Sequence, residues 1–191
     1  MYSDADKHFM SLALHEAHTA LAAGDYPVGA ALAVNGELWD TARNSLFTDG
    51  RTTAHAEHNL IYQHSPQLRA KILGTLDTTI CLYTTLEPCL MCLGIAVLHR
   101  VSRIVVACPD PNGGTANLAL SSLGSIYQLW WPQIQIGLYK EQACDLIMAF
   151  LKTKKFRSWE SMLSEFQTMK ESWPVPTPVQ AVHNEPTSTG V

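Results

Sequence analysis

Glu87-Pro88-Cys89-Leu90-Met91-Cys92 is the stretch on which the reading of this chain turns, taken together with Thr53-Ala54-His55-Ala56-Glu57 and Ala42-Arg43-Asn44. Pro88 suits the first turn of a helix, because its missing N–H would be unbonded there in any case. Cys89 and Cys92 are three residues apart on that expected helix, so both sulfurs leave one face of its first turn. The free N–H groups and partial positive charge of a helix N-terminus favour thiolates. His55 is expected in the first turn of a second helix, and one imidazole with two thiolates suits zinc in softness and charge. Three protein ligands leave a fourth tetrahedral position for water, whose pKa zinc brings to about 7. Glu57, two residues beyond His55, can accept that water's proton and deliver it elsewhere without being a ligand.

Other readings of the same residues stay open at this level. A lone Cys-x-x-Cys also serves as a structural zinc half-site or a redox pair. A redox pair gives no use to His55-Ala56-Glu57. A structural zinc wants a fourth ligand, and Cys81, Cys108 and His58 are available for it. Strand placement makes Cys81 and Cys108 read as small core hydrophobes. His15, His18, His58, His64 and His99 read as surface or satisfied histidines.

Outward from these motifs the chain alternates helix and strand. Ser3 with Asp6 forms a capping box, and Phe9, Ala13, Ala17, Ala20 and Leu21 mark one apolar face of a helix that ends at Gly24. Residues 28–34 and 38–41 flank Asn35-Gly36, a type I′ turn dipeptide, and predict a hairpin. A helix is expected over 53–64, stopped at Ser65-Pro66. Strands follow over 78–84 and 101–107, on either side of the helix that runs from Pro88 to about His99. A short helix is expected over 115–123. The strand at 134–139 can lie parallel to its neighbour, since the connection is long enough for a crossover. Ala143, Leu146, Ile147, Phe150 and Leu151 repeat at core-facing helical spacing, as do Trp159, Met162, Leu163 and Phe166. The expected fold class is α/β, a three-layer α/β/α sandwich over a mixed five-stranded sheet, formed by one domain over 1–171. Pro174, Pro176, Pro178 and Pro186 among small polar residues predict a disordered tail over 172–191.

Composition narrows the function classes. In 191 residues, 13 Lys plus Arg against 17 Asp plus Glu leave a formal net charge of -4, which argues against a general nucleic-acid binder. Charged residues are 16% of the chain, so poor a surface that partial cover by a second copy, a homodimer, is expected. The N-terminal segment carries Asp4, Asp6, Lys7, His15 and Glu16 and does not read as a signal peptide, nor does any run reach membrane-spanning length. Five cysteines without an export signal are read as reduced thiols in a cytoplasmic protein.

His55-Ala-Glu57 with Pro88-Cys89-x-x-Cys92 resembles the signature of the zinc-dependent cytidine deaminase superfamily. Thr85-Leu86-Glu87-Pro88-Cys89 and Pro27-Val28-Gly29-Ala30 resemble most the branch that contains tRNA adenosine, guanine and cytosine deaminases. The resemblance runs from the first helix to about Lys154. It implies a cytidine deaminase-like fold, one Zn2+ per chain held by His55, Cys89 and Cys92, and Glu57 as the catalytic proton shuttle. It implies a reaction in which hydroxide attacks the ring carbon bearing an amine and ammonia leaves. Asn44 matches a family asparagine that hydrogen-bonds the base, and an amide offers a base edge both donor and acceptor. Val28 and Pro27 are expected to wall the ring, with Ala56 and Pro88 beside it; Trp130 and Trp131 read as core or dimer interface ahead of closing over a base by stacking.

Two stretches depart from tRNA adenosine deaminases. Gly50-Arg51-Thr52-Thr53 stands where those enzymes usually have Asp-Pro, and 109–117 replaces a Lys-Thr-Gly-Ala-type loop. The basic cluster Lys152, Lys154, Lys155 and Arg157 reads as a solvated helix end more than a phosphate site. These features make a free nucleobase or nucleoside, purine ahead of pyrimidine, the expected small-molecule substrate. A tRNA adenosine deaminase is the enzyme alternative, with tRNA as partner, and a non-catalytic zinc-stabilised binding subunit is the alternative of another class.

Overall fold

The computed structural model describes residues 1–74, 77–115, 117–154 and 157–172. The tail expected to be disordered falls almost entirely on 173–191, outside the described residues; Ser172 itself ends a helix. Among the described residues five strands form one sheet in the order β2-β1-β3-β4-β5. They are β1 (Gly29–Val34), β2 (Glu37–Arg43), β3 (Ile80–Leu86), β4 (Arg103–Cys108) and β5 (Gln133–Ile136). β1 is antiparallel to β2 and β3, whereas β3, β4 and β5 run parallel, so the sheet is mixed as expected. Asn35 and Gly36 both have positive φ, 53° and 82°, which is the geometry the Asn-Gly dipeptide selects.

Helix α1 (Asp4–Ala23) and helix α5 (Lys140–Lys152) cover one face of the sheet. Helix α2 (Ala56–Gly74) lies on the other face with α3 (Leu90–Leu98) packed beside it, completing three layers. The core between them is aliphatic and dense with small residues: Ala13, Ala17, Ala20, Ala30 and Ala31 are all fully buried. That composition lets α1 approach the sheet closely. A Cβ on Gly29 would lie 2.1 Å from the Ala13 carbonyl oxygen and 2.6 Å from the Ala17 nitrogen, so helix backbone rests directly on β1. The capping box at the start of α1 is present in both directions: Asp6 N–H donates to Ser3 Oγ and Ser3 N–H donates to Asp6 Oδ2. Asp6 also accepts from Arg103 and from the Tyr83 hydroxyl, tying the helix start to β3 and β4.

Four expectations need correction. Helix α2 does not stop at Ser65-Pro66 but continues to Gly74. Pro66 sits on the exposed side, where the carbonyl it leaves unbonded can be hydrated, while Leu68 beyond it is fully buried and keeps the helix docked. The helix expected over 115–123 is instead a 3₁₀ turn at Leu120–Ser122 and α4 (Ser125–Leu129). Thr115 cannot cap a helix there, because its hydroxyl donates to the Pro88 carbonyl at 2.8 Å. Helix α3 begins after Cys89 rather than at Pro88, which places Cys89 at the N-cap. Finally, Cys108 and Cys144 are not both reduced but joined in a disulfide between β4 and α5. Among the described residues no helix is long and apolar enough to cross a membrane.

A last helix, α6 (Arg157–Ser172), folds back along α5, and Lys170 at its end pairs with Glu141 and Asp145 near the start of α5. Its buried Phe166 joins the core.

Candidate active site

The antiparallel start of the sheet and its parallel remainder put one set of strand ends together. The start of β1, the end of β2 and the carboxyl ends of β3 and β4 all open at the same edge, the position where open α/β sheets bind ligands. A cavity of about 250 Å³ lies there, below the roughly 300–1,000 Å³ of sites built for drug-sized ligands. Its floor carries His55, Glu57 and Cys89.

His55 precedes the first residue of α2, and its Nδ1 lies 3.7 Å from Cys89 Sγ and 3.6 Å from Cys92 Sγ. Zinc bonds of about 2.3 Å to sulfur and 2.0–2.1 Å to nitrogen at a tetrahedral angle require S···N separations of about 3.6 Å, so the donor set fits the ion. Among the described residues these three are the one group of His, Cys, Asp or Glu able to hold a metal, with ligand atoms within 4.8 Å of one another. Cys81 and His58 do not join them, and Cys108 is spent in the disulfide. Three ligands and no fourth leave a coordination position open, as a catalytic site needs.

The electrostatics agree with the donor set. A hydrogen bond from Cys92, with a further one from His55, holds the Cys89 thiol down to about 3. The bond to Cys89, together with burial, pushes Cys92 up. His55 is raised, first by its hydrogen bond to Cys89. Glu57 is 3% exposed, and burial raises its carboxyl above the ordinary range against the pull of its hydrogen-bond partners. One oxygen accepts from the Thr84 hydroxyl at 3.1 Å, and the other is 3.6 Å from Cys92 Sγ. A buried carboxyl with a raised pKa, held beside the cavity, is suited to take up and give back a proton.

The Cys helix is clamped from the loop after β4. Besides the Thr115 bond to Pro88, Glu87 accepts the Asp110 N–H at 3.0 Å. A Cβ on Gly114 would fall 2.5 Å from both the Asp110 carbonyl oxygen and the Glu87 carboxyl group, so that approach requires glycine.

Of the expected substrate residues, Asn44 and Val28 line the cavity. Asn44 Oδ1 accepts the Leu46 N–H at 3.0 Å, which leaves its amino group as the part available to a ligand. Pro27 and Ala56 are buried neighbours of Val28 and His55 but do not line the cavity, and the Pro88 carbonyl is taken by Thr115. Trp130 is covered by the Arg100 guanidinium at 4.5 Å, and neither it nor Trp131 reaches the cavity. Sequence reasoning missed Tyr26, Leu46 and Asp110, and it read Ile147, Leu151, Met162 and Phe166 as core only, although these four wall the cavity. Their shared i, i+4 spacing on two helices gives the signal for a common face, but nothing in it says that the face meets a ligand.

The zinc-binding region of cytidine and deoxycytidylate deaminases matches residues 3–108, more than half of the chain. The chain belongs to this deaminase family. Similarity extends beyond the zinc-binding region itself. A tRNA-specific adenosine deaminase of Bacillus subtilis is 34% identical over 163 residues, spanning 84% of this chain and 98% of that protein. One from Aquifex aeolicus is 32% identical over 149 residues, 76% of this chain and 93% of its own. A structure from work on A-to-I editing by tRNA:A34 deaminases superposes with a TM-score of 0.61 at 30% identity, covering 73% of this chain and 98% of that one. The guanine deaminase of Nitrosomonas europaea, at 20% identity and a TM-score of 0.58 over 78% of this chain and 85% of its own, shares the fold. The chain is a member of a zinc deaminase family, and the His55, Cys89 and Cys92 cluster could hold the zinc ion. The two sequence relatives are named for tRNA adenosine, not for the free nucleobase expected from charge and loop sequence.

Proposed function

We propose that this deaminase converts adenosine to inosine in tRNA. The observation that carries the choice is the match to a tRNA-specific adenosine deaminase across 98% of that protein's length, well past the zinc motif that all branches share. The site chemistry supports a hydrolytic step. Zinc, when held by His55, Cys89 and Cys92, supplies the positive charge that ionises a water near neutral pH. As the oxygen of a water bonds to the ring carbon bearing the amine, Glu57 takes one of its protons and passes it to the adjacent ring nitrogen; it then takes the second proton from the added hydroxyl and passes it to the leaving nitrogen. The C–N bond breaks, ammonia departs, and a carbonyl stands where the amine was. The Asn44 amino group donates to an acceptor on the base edge, and Val28, Leu46 and Ile147 exclude water around the ring. One observation favours a second reading, a free purine base: Met162 and Phe166 of α6 wall a cavity of base size.

The experiment is ammonia release across adenosine in an anticodon stem-loop, free adenosine, adenine and guanine, each at two salt concentrations. The expected result is stem-loop turnover that falls as salt rises, since phosphate contacts release counterions. Efficient turnover of a free base with none of the stem-loop overturns the tRNA reading in favour of the second.

A further inference from the structure

We propose that Asp25 is a positioning residue for substrate recognition, acting through Asn44 although it touches neither the cavity nor the zinc ligands. The inference rests on the deaminase reading above, with Asn44 as the group that meets the base.

Asp25 follows Gly24, the left-handed residue that ends α1, and its side chain is fully buried. A buried carboxylate persists only where its oxygens are well satisfied. Here every acceptor bond goes to one short segment. Oδ1 accepts the N–H groups of Phe47 at 2.6 Å and Thr48 at 3.0 Å. Oδ2 accepts the Thr48 hydroxyl at 2.7 Å and Arg43 Nη1–H at 2.8 Å. The same Arg43 Nη1 donates to the backbone carbonyl of Asn44 at 3.0 Å, so a direct chain runs from Asp25 through Arg43 to Asn44. The Asn44 N–H is held by the Val28 carbonyl at 2.8 Å, and its Oδ1 by Leu46 N–H. What remains free to turn toward a base is the amino group, whose direction is set by these anchors. On the far side of the loop, Ser45 N–H donates to the Ala54 carbonyl, one residue before the zinc ligand His55. Asp25 therefore fixes the loop bearing Asn44 and Leu46 against the part of the chain that bears the metal.

A role in overall stability alone would cost the same whether or not Asn44 is present. A positioning role would not, because removing Asn44 removes what Asp25 positions. The test is a double-mutant cycle on kcat/KM for the adenosine stem-loop with zinc-loaded wild type, Asp25→Asn, Asn44→Ala and the double variant. Asp25→Asn keeps the volume and leaves an amide NH2 against Arg43, and a lost charge-assisted bond predicts a fall of roughly tenfold. In the Asn44→Ala background the same change is expected to cost less than about threefold. Equal losses in both backgrounds, or no loss in Asp25→Asn, overturn the proposal. Should Asp25→Asn fail to fold, Thr48→Val, which removes one donor to Oδ2, enters the cycle in its place. A wild type inactive on every adenosine substrate contradicts the substrate reading instead. Hydrogen exchange then decides this proposal on its own: Asp25→Asn should speed exchange over 44–48 with zinc content unchanged, and unaltered protection there overturns it.

Discussion

Glu57 carries the heaviest demand of any single side chain. Its carboxyl is buried, raised and held by Thr84, and it stands beside the metal ligands without being one of them. Thr84→Val removes the donor to its oxygen and should lower kcat by about tenfold while zinc content is unchanged, because one hydrogen bond to a charged group is lost. A Thr84→Val protein with wild-type kcat would show that this bond does not orient the carboxyl. The two cysteines answer to a different readout. Cys89→Ala or Cys92→Ala should abolish stoichiometric zinc in elemental analysis, since each removes one of three ligands. Retained zinc in both variants would mean the metal sits elsewhere. That His55, Cys89 and Cys92 come together, with Glu57 beside them, was legible in the sequence because those residue types and that spacing are dictated by coordination chemistry. Asp25 was not, because a buried carboxylate is recognisable only from the donors that surround it, and these come from residues 18 to 23 positions away.

At the scale of elements, the hairpin, the alternation of helices and strands, and the core-facing faces of α1, α5 and α6 follow from turn chemistry and periodicity. What periodicity cannot weigh is solvent. Pro66 lies on a wet face and so fails to end α2, and Thr115 spends its hydroxyl on Pro88 and so fails to start a helix. Contact between backbones is equally invisible in a pattern of apolar residues, and Gly29 is the case in point. Gly29→Ala forces a methyl group into the α1 backbone and should destabilise the fold by about 1–3 kcal/mol, as overpacking does. Denaturant unfolding that leaves the midpoint unchanged would contradict the close approach of α1 and β1.

Across the whole molecule, the net charge of -4 argues against a general nucleic-acid binder, whereas the sequence relatives are named as tRNA-specific adenosine deaminases. Lys154 stands over the rings of Phe47, Phe150 and Trp159, close to Tyr26 at the cavity. Replacing Lys152 and Lys154 with Gln should flatten the salt dependence of stem-loop turnover and leave turnover of free adenosine unchanged. An unaltered slope would remove those lysines from the RNA-binding surface. Acid stability is a second global property. Arg103, with Ser3 and Tyr83, overcomes the burial penalty and holds Asp6 well below the usual carboxylate range. Its contribution is complete above about pH 4 and is lost as the pH falls toward the folded-state value. Asp6→Asn should therefore lower Tm at pH 7, by a gap that begins to narrow as the pH falls below about 4; a gap constant down to the lowest pH reached would contradict the ion pair. The most direct test of the account as a whole is ammonia release from an adenosine anticodon stem-loop by wild type and Glu57→Gln at equal, verified zinc content. Turnover by the wild type and a loss of roughly 10² to 10⁴ in the variant are expected, the size of a general acid–base contribution. Equal turnover by the two zinc-loaded proteins would contradict it.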